Sequence, residues 1–252
     1  MLLFRYMNYI NAVFSNADVI LNQTQSGVAA IKQLMEKQSY KKVPCYHTWL
    51  GADFGKKQKN KDNIDETVKK IIGSRFILMT GTLEVRKNHK VVLDAFDKYL
   101  FAKGFKLVFV GREDWRNEEF LQRVLQHERI NKDLYFLNRL NDESLDILYK
   151  NAFMLAFPSY DEGFGLPIVE ALVRGTPVIT ADIDVMREVG GSLAIYFKQD
   201  DVEDLTKNIL FYVDNKEAYN ELCKKISYYK PKTWEYVIDN MEKILYLKDN
   251  KK

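Results

Sequence analysis

Cysteine, histidine and long apolar runs are all scarce in this chain of 252 residues. Its 2 cysteines, Cys45 and Cys223, carry no metal-binding or redox spacing. That argues against a disulfide-stapled secreted scaffold and fits a reducing compartment. The 3 histidines, His47, His89 and His127, are scattered and give no zinc spacing; His127 reads as solvated, and His89 as a first-turn helix residue. No apolar stretch approaches the roughly 18 residues that a membrane span needs. The apolar start Met1-Leu2-Leu3-Phe4 is interrupted by Arg5 and Asn8 and is too short for a signal-peptide core. One-sided charge is missing too. With 38 basic and 35 acidic residues the net charge is +3, which implies no nucleic-acid partner. The basic run at 56–61 reads as a solvated linker, because a contact with anionic lipid would need more clustered charge nearby. Repeats and low-complexity tracts are absent. These absences place the protein in the cytoplasm, at most peripheral at the inner face of a membrane.

What is present is an ordinary globular composition, 46% hydrophobic and 29% charged, in a length that suits one large or two small domains. Short apolar runs at 76–79, 107–110, 134–137, 153–157, 178–180 and 194–197 alternate with helical patterns such as Val91, Val92, Ala95, Phe96 and Leu100. Asn141 before Asp142 and Glu143 reads as a helix N-cap. The alternation predicts an α/β fold with a Rossmann-like, doubly wound parallel sheet over residues 75–252, whose ligands bind at the carboxyl ends of the strands. Residues 1–54 form a different piece, with strands at 19–22 and 43–49 and a helix at 24–36 between them. Two strands and two helices are too few for an independent core. Apolar residues such as Ile10, Val13, Phe14, Val19, Ile31 and Leu34 are therefore expected to lack partner surface. Residues 55–74 read as a polar linker.

The richest stretch is Pro158-Ser159-Tyr160-Asp161-Glu162-Gly163-Phe164-Gly165-Leu166-Pro167-Ile168-Val169-Glu170. An apolar strand enters a loop with two glycines, whose missing Cβ atoms admit a ligand close to the backbone. A helix follows, with Pro167 in its first turn where no N–H is needed. Its N-terminus presents N–H groups and a partial positive charge, which favour a phosphate. Glu162 and Glu170 flank this cradle, and a carboxylate accepts hydrogen bonds from a vicinal diol. Phosphate cradle plus diol acceptors indicates a nucleotide-sugar site. Asp182-Ile183-Asp184 spells a metal-binding Asp-x-Asp, but it follows a strand, and Asp184 can cap the next helix instead.

Glu-Gly-Phe-Gly-Leu-Pro followed by Glu170, then Gly175-Thr176-Pro177-Val178-Ile179 and Glu188-Val189, resembles retaining glycosyltransferase family 4, with its two-domain GT-B fold. Thr80-Gly81-Thr82-Leu83-Glu84-Val85-Arg86-Lys87-Asn88-His89 is similar to that family's donor-domain opening loop. Val110-Gly111-Arg112, residues 145–151 and Thr233-Trp234 follow in the family's order. The resemblance covers roughly residues 75–245, and a weaker match runs through Ala17-Asp18-Val19-Ile20 and Leu50-Gly51-Ala52-Asp53. It implies a metal-independent hexosyltransferase that uses a nucleoside-diphosphate sugar, needs no bound cofactor and retains the anomeric configuration. Surface polysaccharide or another glycoconjugate is the implied product. In the family, Lys87 and a second cation hold the diphosphate; Thr82 stands where that second cation usually sits, so Arg86 is expected to replace it. Gly81 and Thr82 belong to the same loop. Glu170 would bind ribose hydroxyls and Glu162 hydroxyls of the transferred sugar. Backbone N–H groups of Phe164, Gly165 and Leu166, after Gly163, would face the diphosphate, and the base would lie near residues 136–140. Residues 1–54 would then be the end of an acceptor-side domain, with an N-terminal partner or a second copy covering them. Two rivals stay open on sequence alone: a nucleotide-sugar-binding subunit without activity, and a GT-B epimerase or phosphorylase.

Overall fold

The computed structural model describes residues 2–53 and 64–249. They fall into two compact units, the first made of residues up to Asp53 together with those from Pro231 onward, the second ending at Lys230. This differs from a division at 54 and 74 that runs on to the C-terminus. The basic run at 56–61 lies outside the described residues.

The first unit opens with α1 (Leu2–Asn16), β1 (Ile20–Asn22), α2 (Gln25–Lys37) and β2 (Cys45–His47). The two strands pair in parallel, Ile20 beside Cys45. Thr24 starts α2 by accepting the Gly27 N–H at 3.1 Å, the N-cap bond that frees a helix end from an orphan donor. The expected shortage of partner surface is corrected here. Phe14, Val28, Met35, Val43 and Cys45 form a small core of their own, with Ile10, Ile31 and Leu34 packed against it half-buried; Val13 and Val19 are half-buried as well.

The second unit carries the large sheet. Its elements are α3 (Glu66–Ile71), β3 (Phe76–Thr80), α4 (His89–Ala95), β4 (Lys106–Val110), α5 (Glu118–Leu125), β5 (Leu134–Leu137), α6 (Asp142–Asn151), β6 (Met154–Phe157), α7 (Leu166–Val173), β7 (Val178–Ala181), α8 (Asp184–Gly190), β8 (Ala194–Phe197), α9 (Val202–Asp214) and α10 (Lys216–Ser227). All six strands run parallel in the order β5-β4-β3-β6-β7-β8. The chain winds outward from β3 through β5, crosses back beside β3, and winds out the other way. Every residue of β3, β6 and β7 is buried, as a parallel sheet covered on both faces demands. The point where the winding reverses lies between β3 and β6, where loops part and a crevice opens at the carboxyl edge.

Asn141 caps α6 as expected, its Oδ1 accepting the Ser144 N–H at 2.8 Å. The stretch expected as linker contains a corrected element. Asp65 caps α3 through Thr67 N–H at 2.7 Å, and Val68 and Ile71 are fully buried. The helix was hidden because only two of its six positions face the interior, and lysines fill its last turn.

The last element, α11 (Trp234–Asp249), belongs to the first unit. Ala52 N–H donates to the Lys232 carbonyl at 2.8 Å, and Asp53 Oδ1 accepts the Trp234 N–H at 2.8 Å. The Leu50–Asp53 and Thr233-Trp234 motifs thus meet.

Candidate functional site

The loop after β3 turns through Gly81 and Thr82 and forms a single tight turn at Val85–Lys87 before α4. The loop after β6 carries residues 158–165 to the start of α7. One backbone bond joins them, Tyr160 N–H to the Arg86 carbonyl at 2.9 Å. Asp200 clamps both: its Oδ1 accepts from Asn88 Nδ2 at 3.0 Å and from the Tyr160 hydroxyl at 2.6 Å. The register of these loops sets the charges.

Glu162 is the meeting point. Its Oε1 lies 2.5 Å from Lys87 Nζ and 2.9 Å from Arg86 Nη1. Lys87 and Glu162 are nearly buried, whereas the Arg86 side chain is 41% exposed. Arg86 also donates to the Asp161 carbonyl at 2.6 Å and to Glu84 at 3.3 Å. Partial burial pulls the Arg86 guanidinium down, and the Glu162 and Glu84 carboxylates outweigh that and hold it above its ordinary value. Lys87 lies over the Phe157 ring, 5.1 Å from its centroid, so its ammonium has one apolar wall and one acidic one. Two cations thus converge on Glu162 at the mouth of the crevice, with Arg86 shared between it and Glu84.

Gly165 stands at the start of α7 with φ 97°, a left-handed conformation that glycine adopts without steric cost. No side chain caps this helix and no acidic residue occupies its first turn. Its positive end therefore keeps its attraction for an anion. Phe164 is buried and anchors the loop, while Gly163 and Leu166 lie at the surface.

Glu170 sits one turn into α7, half-buried. The Tyr149 hydroxyl, from α6, donates to its Oε2 at 2.7 Å and lies 2.8 Å from Thr80 Oγ1 at the end of β3. The phenol has one proton and gives it to the carboxylate, so Thr80 donates to Tyr149. Burial, then the Glu170 charge, pushes the Tyr149 phenol well above its usual value, and it stays a donor. Arg174 packs 4.9 Å above the Tyr149 ring and donates to the Glu170 carbonyl at 2.8 Å. Sequence reading missed this relay. The only signal was a tyrosine beside Leu148 on the buried face of α6.

Beside Thr80 opens a cleft of about 410 Å³, lined by Gly81, Val110, Gly111, Arg112, Arg139, Leu140 and Leu145. A Cβ added at Gly111 would stand 1.9 Å from the Gly81 carbonyl oxygen, so the two loops touch only because that side chain is absent. Residues 139 and 140 fall in the stretch expected near a base.

Other expectations resolve differently. Asp184 is the first residue of α8 rather than its cap, and no side chain caps that helix. Asp182 is engaged by Arg187, whose Nη2 lies 2.7 Å from Oδ2. His127 is half-buried rather than solvated, its Nε2 bonded to Asp97 at 2.8 Å. His89 does begin α4, buried between Phe109 and Phe120. Burial, then Lys87, lowers it to about 3, and neither ring nitrogen has a hydrogen-bond partner. Among the described residues no helix is long and apolar enough to cross a membrane.

Known proteins share this arrangement of sequence and fold. The chain is 29% identical over 194 residues to the serotype-specific mannosyltransferase WbdA of Escherichia coli, covering 75% of this chain and 24% of that protein. It is 30% identical over 188 residues to the O-antigen chain mannosyltransferase RfbU of Salmonella typhimurium, covering 74% of this chain and 50% of RfbU. The chain thus spans between a quarter and a half of the length of these relatives. Among solved structures, sucrose-phosphate synthase from Thermosynechococcus elongatus superposes with a TM-score of 0.69 at 17% identity, covering 96% of this chain and 61% of the other. The Anabaena protein HepE, solved with UDP and glucose, gives 0.71 at 15% identity, covering 94% and 65%. These likenesses establish the α/β architecture of GT-B glycosyltransferases. The sequence profile of glycosyl transferases group 1 matches residues 60–233, and the chain belongs to that family.

Proposed function

We propose that this chain carries the donor site of a retaining, metal-independent hexosyltransferase of the family 4 kind, which passes a sugar from a nucleoside diphosphate to an acceptor hydroxyl. The observation that carries the reading is the convergence of Lys87 and Arg86 on Glu162 beside the uncapped start of α7. Breaking a glycosyl–phosphate bond builds negative charge on the leaving diphosphate, and fixed cations with oriented N–H groups stabilise that charge where it develops. Without donor, Glu162 occupies both cations. An arriving diphosphate takes them over, and Glu162 is released toward the hydroxyls of the sugar. Glu170, one oxygen held by Tyr149, keeps the other for a ribose hydroxyl. The engagement of Asp182 by Arg187 supports a reading in which protein cations, not a metal held by Asp182 and Asp184, carry the load. The names of WbdA and RfbU favour mannose as the hexose and O-antigen-like polysaccharide as the product. HepE, of like fold, holds UDP and glucose, which supports a nucleotide-sugar donor.

The test is donor consumption in the presence and absence of a sugar acceptor, with and without EDTA, and product anomeric configuration read by NMR. Donor turnover that survives EDTA and gives a product of the donor's own configuration is the expected result. Loss of donor binding in EDTA with recovery on adding manganese, or inversion, would overturn it. Nucleotide binding without any turnover would leave the chain a binding subunit.

A further inference from the structure

A second cavity, of about 320 Å³, is lined by the starts of α4 and α5, and the donor reading makes no use of it. Its volume falls at the low end of the range for small-molecule sites, about 300–1,000 Å³. The β3 loop gives it Glu84, Val85 and Asn88, the β6 loop Tyr160, and α5 Glu119 and Phe120. These walls are held in place. Asn88 and Asp200 both have left-handed backbones, φ 55° and 61°, a region uncommon for residues with a Cβ. Asp200 ties Asn88 to Tyr160. Asn117, also in the lining, donates to the Leu83 carbonyl at 2.9 Å and pins the entry to α5 against the β3 loop.

The chemistry of the lining says what enters. His89 belongs to it, 2% exposed, and neither ring nitrogen has a hydrogen-bond partner. A buried polar atom left so is costly, and a neutral imidazole offers one donor and one acceptor. The two cations of the lining are already engaged: Asp94 lies 2.7 Å from Lys90 and 2.6 Å from Arg123. No free cation therefore waits for an anion. Among the described residues Glu119 meets no cation, and no group of His, Cys, Asp and Glu could hold a metal ion. What fits is a neutral molecule that gives hydroxyl protons to carboxylate oxygens. Val85 is 61% exposed and Tyr160 39%, so the same wall has an aliphatic patch and an aromatic ring. A pyranose matches both, with hydroxyls around its rim and a flat C–H face for the ring.

We propose that this cavity is a second sugar site, which holds a pyranose unit of the glycan outside the donor crevice. That the pyranose belongs to the glycan rests on the transferase reading above; the fit to a neutral polyol does not. Arg86 and Lys87 reach Glu162, while Glu84, Val85 and Asn88 of the same loop line the cavity. Tyr160, across the cavity wall, donates its N–H to the Arg86 carbonyl at 2.9 Å. One pair of loops thus serves the donor and the second sugar together. A saccharide chain anchored there stays at raised local concentration beside the donor, with no tighter contact at the reacting end.

Calorimetric titration of the whole chain with mannotriose, maltotriose and inorganic phosphate tests this, with the His89 ring signals followed by NMR. A trisaccharide should bind saturably and move those signals, and phosphate should do neither. Glu119→Gln removes the unpaired charge, and Val85→Trp fills the cavity mouth from an exposed position, so the fold is kept in both. Each should weaken the trisaccharide about fivefold or more while leaving GDP and UDP within about twofold of their original affinities. No binding of either trisaccharide, equal trisaccharide binding by the parent and both variants, or phosphate binding in its place would each overturn the proposal. If neither GDP nor UDP binds while a trisaccharide does and is lost in the variants, the donor-site reading falls and the second sugar site stands.

Discussion

At the scale of single residues, the site depends on which atoms are already engaged. Tyr149→Phe keeps the buried ring and removes only the hydroxyl between Thr80 and Glu170. A hydrogen bond to a charged group contributes about 1.5–3 kcal/mol, and part of that fixes the direction of the Glu170 carboxylate. Ribonucleoside diphosphates should therefore bind several-fold more weakly to the variant, while 2′,3′-dideoxy analogues, which have no diol to offer, bind as before. Equal losses for both in calorimetry would make Tyr149 a packing residue only. Lys87 and Arg86 divide differently. Lys87→Ala should lower turnover by about 10²–10³, the range for one fixed stabiliser of developing charge. Arg86→Ala should cost less, because its side chain is 41% exposed against 12% for Lys87 and water screens it. Steady-state kinetics that rank the two the other way would reassign the principal cation. Sequence showed the charged residues and the glycines, because each is unusual for its place in a strand–loop–helix. It did not show Tyr149, Thr80 or Asp200, whose roles arise only from contacts between distant segments.

At the scale of elements, the strands were legible where burial on both faces left an unbroken apolar run, as in β3, β6 and β7. Loops and short helices were not, since their positions follow from tertiary contacts that periodicity does not encode. The α3 helix passed as linker, and α8 starts one residue earlier than a cap at Asp184 would have it. The contact between the loops after β3 and β4 belongs here. Gly81 N–H donates to the Val110 carbonyl at 2.9 Å and Leu83 N–H to the Arg112 carbonyl at 2.9 Å. The loops therefore extend the sheet's bonding past its last named residues. Gly111→Ala would thrust a methyl group to within 1.9 Å of a backbone oxygen, and no side-chain rotation relieves it. Overpacking of this kind costs about 1–3 kcal/mol or more, and thermal unfolding should show it. Nucleotide affinity should fall as well, because the shifted backbone floors the cleft. A variant as stable as the parent would mean the loops part easily and do not hold the site.

At the scale of the whole molecule, pH and chain length each isolate a claim. His89 is held neutral in the fold, lowered by burial and then by Lys87 from 6.5 to about 3. Below pH 6.5 the unfolded chain takes up a proton that the folded chain refuses. The stability tied to this group is complete above pH 6.5 and is lost as pH falls toward 3. At pH 5 the loss is about 2 kcal/mol. Urea midpoints between pH 7 and 5 should fall more steeply for the parent than for His89→Leu, and parallel slopes would show that the ring is not held neutral.

Chain length tests the division into units. Arg86, Lys87, Arg112, Arg139, Tyr149, Glu162 and Glu170 all lie in the unit that ends at Lys230. That unit has its own sheet, with Phe76, Phe96, Phe105, Phe109, Phe157 and Phe197 fully buried. The first unit instead presents Trp234, Tyr236, Ile238 and Tyr246 of its C-terminal helix to solvent, and exposed apolar surface of this kind often marks an interface. A fragment of residues 54–230 should therefore fold cooperatively and bind nucleoside diphosphate within a few-fold of the whole chain. It should also self-associate less in light scattering. Such a result would assign donor binding to the second unit alone and leave acceptor capture to whatever meets the first. A fragment that folds yet loses nucleotide affinity would show that the first unit completes the donor site.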